Sequence, residues 1–487
     1  NPEIAGVHAT DGEEKSLNNV FIRAGFSGVR ATKKATATIT KSTIHANSFA
    51  LAVSEGGCVN AKEIEANSLQ GALSITNGII NVQDSILEAK KESGIIFHTI
   101  LDFFVKEGDE VVNKAILNNT KLFVRNGSAI VGPLSSKSVA EVQLRNSEIR
   151  SDVLLKNHVK KATDSDPHPV TFILTADNSV MEGRARTLKE NTTVFNLSNK
   201  SKWYLNVSRY DIDRDASVFS YKLHDIKQRA LSTVSVLNLS NSSIVFNKPH
   251  ELAKDQYQIL SVGKVQTTEG SRSEGNRNSA TKAVYNATGD ANIYFNIEWN
   301  NGLPKEQQKA DRLLVHGDVS GTTTVHISNV LKSEKAKEGS AVPLNARGVS
   351  LIQVSGKAEE NSFKLANGYT TMGGLPYKYT LNAYGPKSSR GKADSTQSYL
   401  GEISQEPKES APTTNTSHLV LGGIVVEIEK DVKGTATSSS REANVAQSHV
   451  RGNENFWDFR LQNATLDKEA KIKALVPQVA SYLVMPN

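Results

Sequence analysis

Ile44-His-Ala-Asn-Ser-Phe49 and Ile64-Glu-Ala-Asn-Ser-Leu69 carry the reading that decides the fold, because Ala-Asn-Ser returns after 20 residues, at Ala46 and Ala66. A looser unit recurs around this pair: two alternating apolar positions, a polar pair containing Ser, then another apolar residue. It stands as Ala37-x-Ile39-x-Lys41-Ser42-x-Ile44, as Val142-x-Leu144-x-Asn146-Ser147-x-Ile149 and as Leu237-x-Leu239-x-Asn241-Ser242-x-Ile244. Less regular copies lie at Val82 to Ile86, Leu174 to Val180 and Leu197 to Trp203. Apolar residues at period two mark strands with one buried face. Asn and Ser between them mark a tight bend, since their side chains bond nearby backbone.

A strand–bend–strand unit of about 20 to 25 residues cannot bury its own face, but stacked copies can. The expectation is an all-β, right-handed parallel β-helix (a solenoid). A β-sandwich also has short alternating strands; the identical tripeptide at a fixed offset favours the solenoid. Taken literally, that offset sets Ile44 beside Ile64 and Asn47 beside Asn67 in adjacent rungs, about 4.8 Å apart.

Composition agrees. Of 487 residues, 38% are hydrophobic and only 6% aromatic, too apolar for a disordered chain and too poor in large side chains for a compact enzyme core. The net charge of +6 permits contact with anionic surfaces and does not argue for nucleic acid. Cys58 is the single cysteine, so no intrachain disulfide forms, and a lone thiol reads as a small buried hydrophobe. No run approaches the roughly 18 apolar residues of a membrane-spanning helix. The first residue is Asn1 and no signal peptide is visible, which reads as a processed or trimmed chain. Polar stretches at Lys160–Pro169 and Gln266–Lys282 read as loops leaving the solenoid.

From Asp290 the pattern changes. Asn292 to Trp299 is a strand with aromatics, and Ala310 to Ile327 (A-D-R-L-L-V-H-G-D-V-S-G-T-T-T-V-H-I) reads strand, turn, strand. Strands follow at Val349 to Gly356, Phe363 to Leu365, Tyr377 to Leu381, Leu419 to Ile428 and Phe456 to Leu461. A solenoid needs such a cap, because its last rung otherwise exposes an unpaired edge. The expected organisation is a β-helix over 1–289 and a cap module over 290–463. The cap carries polar, extended or mobile insertions at 386–417 and 430–452, and a linker follows at 464–487.

The second half resembles the passenger domains of pertactin-type bacterial autotransporters. Their closing block, Asp-x-Leu-x-Val-x-Gly-Asp-x-Ser-Gly-Thr-Thr-x-Val, is matched by Asp311, Leu313, Val315, Gly317, Asp318, Ser320, Gly321, Thr322, Thr323 and Val325. The ending Val476 to Asn487 resembles the segment that precedes the outer-membrane barrel. The nearest resemblance is to the Bartonella group of angiogenic and CAMP-like-factor autotransporters. It implies a secreted or cell-surface virulence factor, exported through the outer membrane, whose partner in the precursor is its own barrel. It also implies a host-cell ligand that engages vascular endothelial growth factor receptor 2. An adhesin for matrix or erythrocytes, a cohaemolysin and a β-helix polysaccharide lyase stay open beside it.

The chemistry sought elsewhere is sparse. Gly317-Asp-Val-Ser-Gly321 is a poor match to a serine-protease signature, because Val319 stands where the nucleophile belongs. Asp211-Ile-Asp-Arg-Asp215 begins like a calcium loop, but Ala216 and Lys222 replace the Gly and Glu that such a loop needs, so it reads as a solvated loop. His158, His168, His224, His250, His316 and His326 lack metal-ligand spacing. Lys33-Lys34 and His158-Val-Lys-Lys161 read as solvated basic loops that admit a weak glycosaminoglycan contact. The expectation is binding without catalysis, with no cofactor and no metal.

Overall fold

A computed structural model describes residues 6–98, 111–132, 139–157, 169–188, 190–209, 211–215, 220–253, 255–264, 282–299, 304–331, 342–371, 378–401, 419–421, 424–426 and 455–464. The chain is a parallel β-helix, in which strands far outweigh helix. It divides into two compact units, Asn1–Ser242 with Pro412–Asp431, and Ser243–Ala411 with Val432–Asn487. The second unit thus begins upstream of residue 290. The stretches 158–168, 265–281, 430–452 and 465–487, which hold two expected loops, an insertion and the linker, lie outside the described residues.

In the first unit each turn of the chain visits three walls, and each strand pairs in parallel with its counterpart one turn away. One wall runs through Val7–Ala9, Val29–Ala31, the first halves of the long strands Phe49–Lys62 and Gly71–Gln83, Ser93–Phe97, Ser128–Val131 and the second half of Glu148–Asn157. A second runs through Glu14–Asn18, Thr36–Thr40, the second halves of Phe49–Lys62 and Gly71–Gln83, Asn113–Asn118, Val139–Arg145, Thr171–Asp177, Thr192–Ser198 and Val236–Ser240. A third runs from Phe21–Ala24 through Thr43–Ala46, Glu65–Ser68, Ile86–Ala89 and Lys121–Val124 to the first half of Glu148–Asn157.

Period-two alternation sends one row of the second wall inward. Ala37, Val59, Ile80, Ala115, Val142, Leu174, Phe195 and Leu237 stack one on the next, each with 0% exposure. Small and large side chains thus share one narrow core, which explains why few aromatics are needed. Opposite Ala37 stands Lys15, whose ammonium is 3.0 Å from the Glu13 carboxylate.

The bend between the second and third walls repeats on every turn. Asn19, Lys41, Glu63, Asp84, Asn119, Asn146, Asn178 and Asn241 all hold left-handed backbone, with φ between 46° (Asn178) and 55° (Asn19). Asn and Asp tolerate this conformation best among residues with a Cβ. After most of these bends, though not at Val20 or Ile64, the next residue turns a hydroxyl inward. The Thr120 N–H donates to Ser147 Oγ at 3.1 Å, the Ser147 N–H to Ser179 Oγ at 3.0 Å, and the Ser179 N–H to Ser201 Oγ at 3.0 Å. The Asn-Ser pairs therefore close the bends by binding one turn to the next.

The expected register needs correction. Ile44 faces Ala66, and Ala46 faces Ser68, so this turn is 22 residues long. The two Ala-Asn-Ser copies lie two residues out of step. A two-residue slip returns every side chain to its own face, so hydrophobic alternation cannot detect it.

Within the second unit, Ile259–Val262, Arg312–Val315 and Val349–Val354 continue parallel pairing, as do Asn292–Trp299, Thr323–Leu331 and Phe363–Leu365. Pairing then reverses. Trp457–Asn463 runs antiparallel to Val349–Val354, and Lys378–Tyr384 antiparallel to Trp457–Asn463. All seven residues of Trp457–Asn463 are buried. Arg460 lies 2.7 Å from Asp458, both side chains closed to solvent, and Ser350 Oγ donates to the same carboxylate at 2.5 Å.

The stretch 386–401 corrects another expectation. Its polar sequence implies part of an extended or disordered insertion, yet Tyr399 and Leu400 are buried against Leu314 and Phe456. Two apolar side chains suffice to anchor a polar segment, and Arg312 stacks over the Tyr399 ring at 4.0 Å.

Candidate functional site

The motif from Asp311 to Val325 makes one circuit of the coil. Arg312–Val315 lies on one wall, Val319–Ser320 pairs with Tyr285–Asn286 on the next, and Thr323 opens the strand on the third. Leu313, Val315 and Val325 point into the core. Gly317 turns the first corner, where an added Cβ would press to 2.9 Å from Val284. Gly321 turns the second at φ +83°, where a Cβ would fall 1.8 Å from the Ala287 carbonyl oxygen. No other residue fits there.

The polar members of the motif hold backbone. Asp311 is wholly buried; its Oδ1 accepts from the Gln258 N–H at 2.8 Å, and its Oδ2 from the Asn296 N–H at 2.7 Å and Nδ2 at 2.9 Å. Burial pushes its carboxyl up to about 7, against the pull of these donors and of Arg312. Asp318 Oδ1 accepts from the Lys357 N–H at 2.8 Å. Thr323 Oγ1 lies 2.9 Å from the Tyr285 hydroxyl, both buried. Ser320 is exposed and Thr322 half-buried at the strand entry. The ten motif residues come together as one structural circuit.

His316 and His326 do not meet. Burial pushes the His316 imidazole down to about 4. His326 stacks on Tyr294 at 4.2 Å, with Nε2 2.8 Å from Asn292 Oδ1. Among the described residues no cluster of His, Cys, Asp or Glu is arranged to hold a metal ion. His158 and His168 lie outside the described residues.

Sequence reasoning does not reveal a buried charge cluster in the first unit. Asp211, read as part of a solvated loop, is buried on the outside of the first wall. It lies 2.5 Å from Arg184 Nη1, 3.0 Å from Arg186 Nη1 and 3.3 Å from Lys156 Nζ. Lys156 and Arg186 neighbour each other across adjacent rungs, which alone would repel. Asp211 returns on the excursion between Lys202–Leu205 and Leu231–Val234 and neutralises them. Burial would raise its carboxyl, yet Arg184, Arg186, Lys156 and His224 hold it down to about 2. Its calcium-like position is thereby spent on cations of this chain. The hairpin Ile212–Asp215 with Ser220–Leu223 starts from this anchor.

Cys58 also differs from expectation. It is half-buried on the outer face of the second wall, between Thr36 and Ile79, because it falls on the outward parity of its strand. Burial raises its thiol, which lowers its reactivity. Lys33 sits in an exposed turn, 3.3 Å from Asp11.

Fold and site define a parallel β-helical chain closed by an antiparallel cap. Comparison with protein-family models and with curated proteins finds no match.

Proposed function

We propose that this chain is the passenger of a bacterial autotransporter of the Bartonella group. It acts outside the cell as a binding protein without turnover, as a ligand of vascular endothelial growth factor receptor 2 on endothelium. The observation that carries this reading is the circuit Asp311–Val325, whose apolar residues fill the core and whose polar residues brace the backbone directly before the antiparallel cap. This is what a passenger's closing module requires, and it gives Asp311, Leu313, Val315, Gly317, Asp318, Gly321, Thr323 and Val325 each a physical role. A receptor kinase is activated when two chains are brought together. Rungs about 4.8 Å apart can offer two contacts spaced along one wall of a unit. The positive balance of the chain supports a weak accessory contact with glycosaminoglycans. The test is receptor phosphorylation in endothelial cells given purified protein, with the soluble receptor ectodomain as competitor. Phosphorylation that the ectodomain blocks supports the proposal. A silent receptor, with binding to matrix or erythrocytes instead, replaces it with the adhesin or cohaemolysin reading.

A further inference from the structure

We infer that Asn126 is a site of spontaneous covalent modification, deamidating through Gly127 while the protein is folded. Asn126 is exposed at the corner after the strand Lys121–Val124. Its side chain and the Gly127 N–H make no hydrogen bond among the described residues. Gly127 is dictated by the fold, since a Cβ there would fall 2.3 Å from the Glu92 carbonyl oxygen. The corner that requires glycine thus places after an unpinned Asn the one residue with no side chain to shield its nitrogen.

The chemistry balances without any redox partner. The Gly127 nitrogen, losing its proton, attacks Asn126 Cγ, and a C–N bond forms as ammonia leaves. Water then opens the five-membered succinimide at either carbonyl, giving Asp or isoaspartate. A new carboxylate arises beside Arg125, which already pairs with Glu88.

Two other described Asn-Gly pairs serve as internal controls. The Gly78 N–H donates to the Val112 carbonyl at 2.6 Å, and Asn77 Oδ1 accepts from the Val112 N–H at 3.1 Å, so both partners are held. The Gly368 N–H donates to the Leu365 carbonyl at 3.0 Å. Nitrogens engaged in this way attack slowly. The fourth pair, Asn301-Gly302, lies outside the described residues.

The experiment incubates the full chain, made in bacteria, at mildly alkaline pH and follows the three peptides by mass spectrometry. Isoaspartate is assayed in parallel, and Asn126→Gln assigns the signal. In the folded protein Asn126 is expected to convert at least ~10-fold faster than Asn77 and Asn367, a gap of about 1.4 kcal/mol in barrier. In urea the three rates should converge. Equal rates in the folded protein, or an Asn126 rate far below its own rate in urea, overturn the inference.

Discussion

Arg186 Nη1 stands 3.0 Å from Asp211 Oδ1, with both side chains buried, although 25 residues and a change of wall separate them. This contact ties the excursion after Leu205 to the outside of the coil. Asp211→Asn removes a carboxylate that Arg184, Arg186 and Lys156 all approach. Denaturant unfolding should show a loss of about 3 kcal/mol. Hydrogen exchange should rise first in the strand Leu231–Val234, where Arg184 Nε binds the Leu231 carbonyl.

The same carboxylate sets an acid limit. Its value in the fold is about 2 against an ordinary 3.8, so the ionised form is favoured by folding. Its contribution is complete above about pH 4 and disappears as pH falls through about 2. Acid titration of the native chain should show this loss, and Asp211→Asn should not. An identical acid transition in the variant would contradict the assignment.

Asp311 works with the opposite sign. Its value rises from 3.8 to about 7, so folding favours the protonated form. The contribution is complete below about pH 4 and fades as pH rises through about 7. Asp311→Asn should flatten stability against pH between 5 and 8. It should also cost about 2 kcal/mol, because one amide N–H then faces donor groups. An unchanged slope would contradict this reading.

The coil was legible because its chemistry is local and repeated. Val142, Leu144 and Ile149 are buried, and Asn146-Ser147 makes the bend between them, as their spacing implies. The register was not legible. Ile44 faces Ala66 and not Ile64, and both choices keep the same face inward. The Asp211 cluster was invisible for another reason: Lys156 and Arg186 look like ordinary outward residues until a distant excursion covers them. In the cap, Asp311 to Val325 was recognisable as strand–turn–strand. The fold adds that Asp311 joins the backbones of Gln258 and Asn296, which no spacing reveals.

The two glycine turns at Gly321 and Gly12 separate strain from collision. Both have positive φ, +83° and +77°, but a Cβ at Gly12 meets nothing within 4 Å, whereas at Gly321 it strikes Ala287. Gly12→Ala should cost about 1 kcal/mol from backbone strain alone. Gly321→Ala should cost at least ~3 kcal/mol, since the strand pair must also shift. Equal losses in thermal unfolding would show that the close approach at Gly321 has been misjudged.

Ser147→Ala tests the hydroxyl ladder. It removes the acceptor for the Thr120 N–H and the donor to the Arg145 carbonyl, at 3.1 and 2.7 Å. The buried N–H left unpaired should cost about 2 kcal/mol. A neutral result would mean that the backbone alone holds the bend.

The most direct measurement is surface-plasmon binding of the purified chain to the immobilised ectodomain of vascular endothelial growth factor receptor 2, with Asp211→Asn and Gly321→Ala as folding controls. Saturable binding is expected that persists at salt high enough to screen the charge of +6 and is lost when the coil is unfolded. No binding, or binding that salt abolishes and an unfolded chain reproduces, would contradict it.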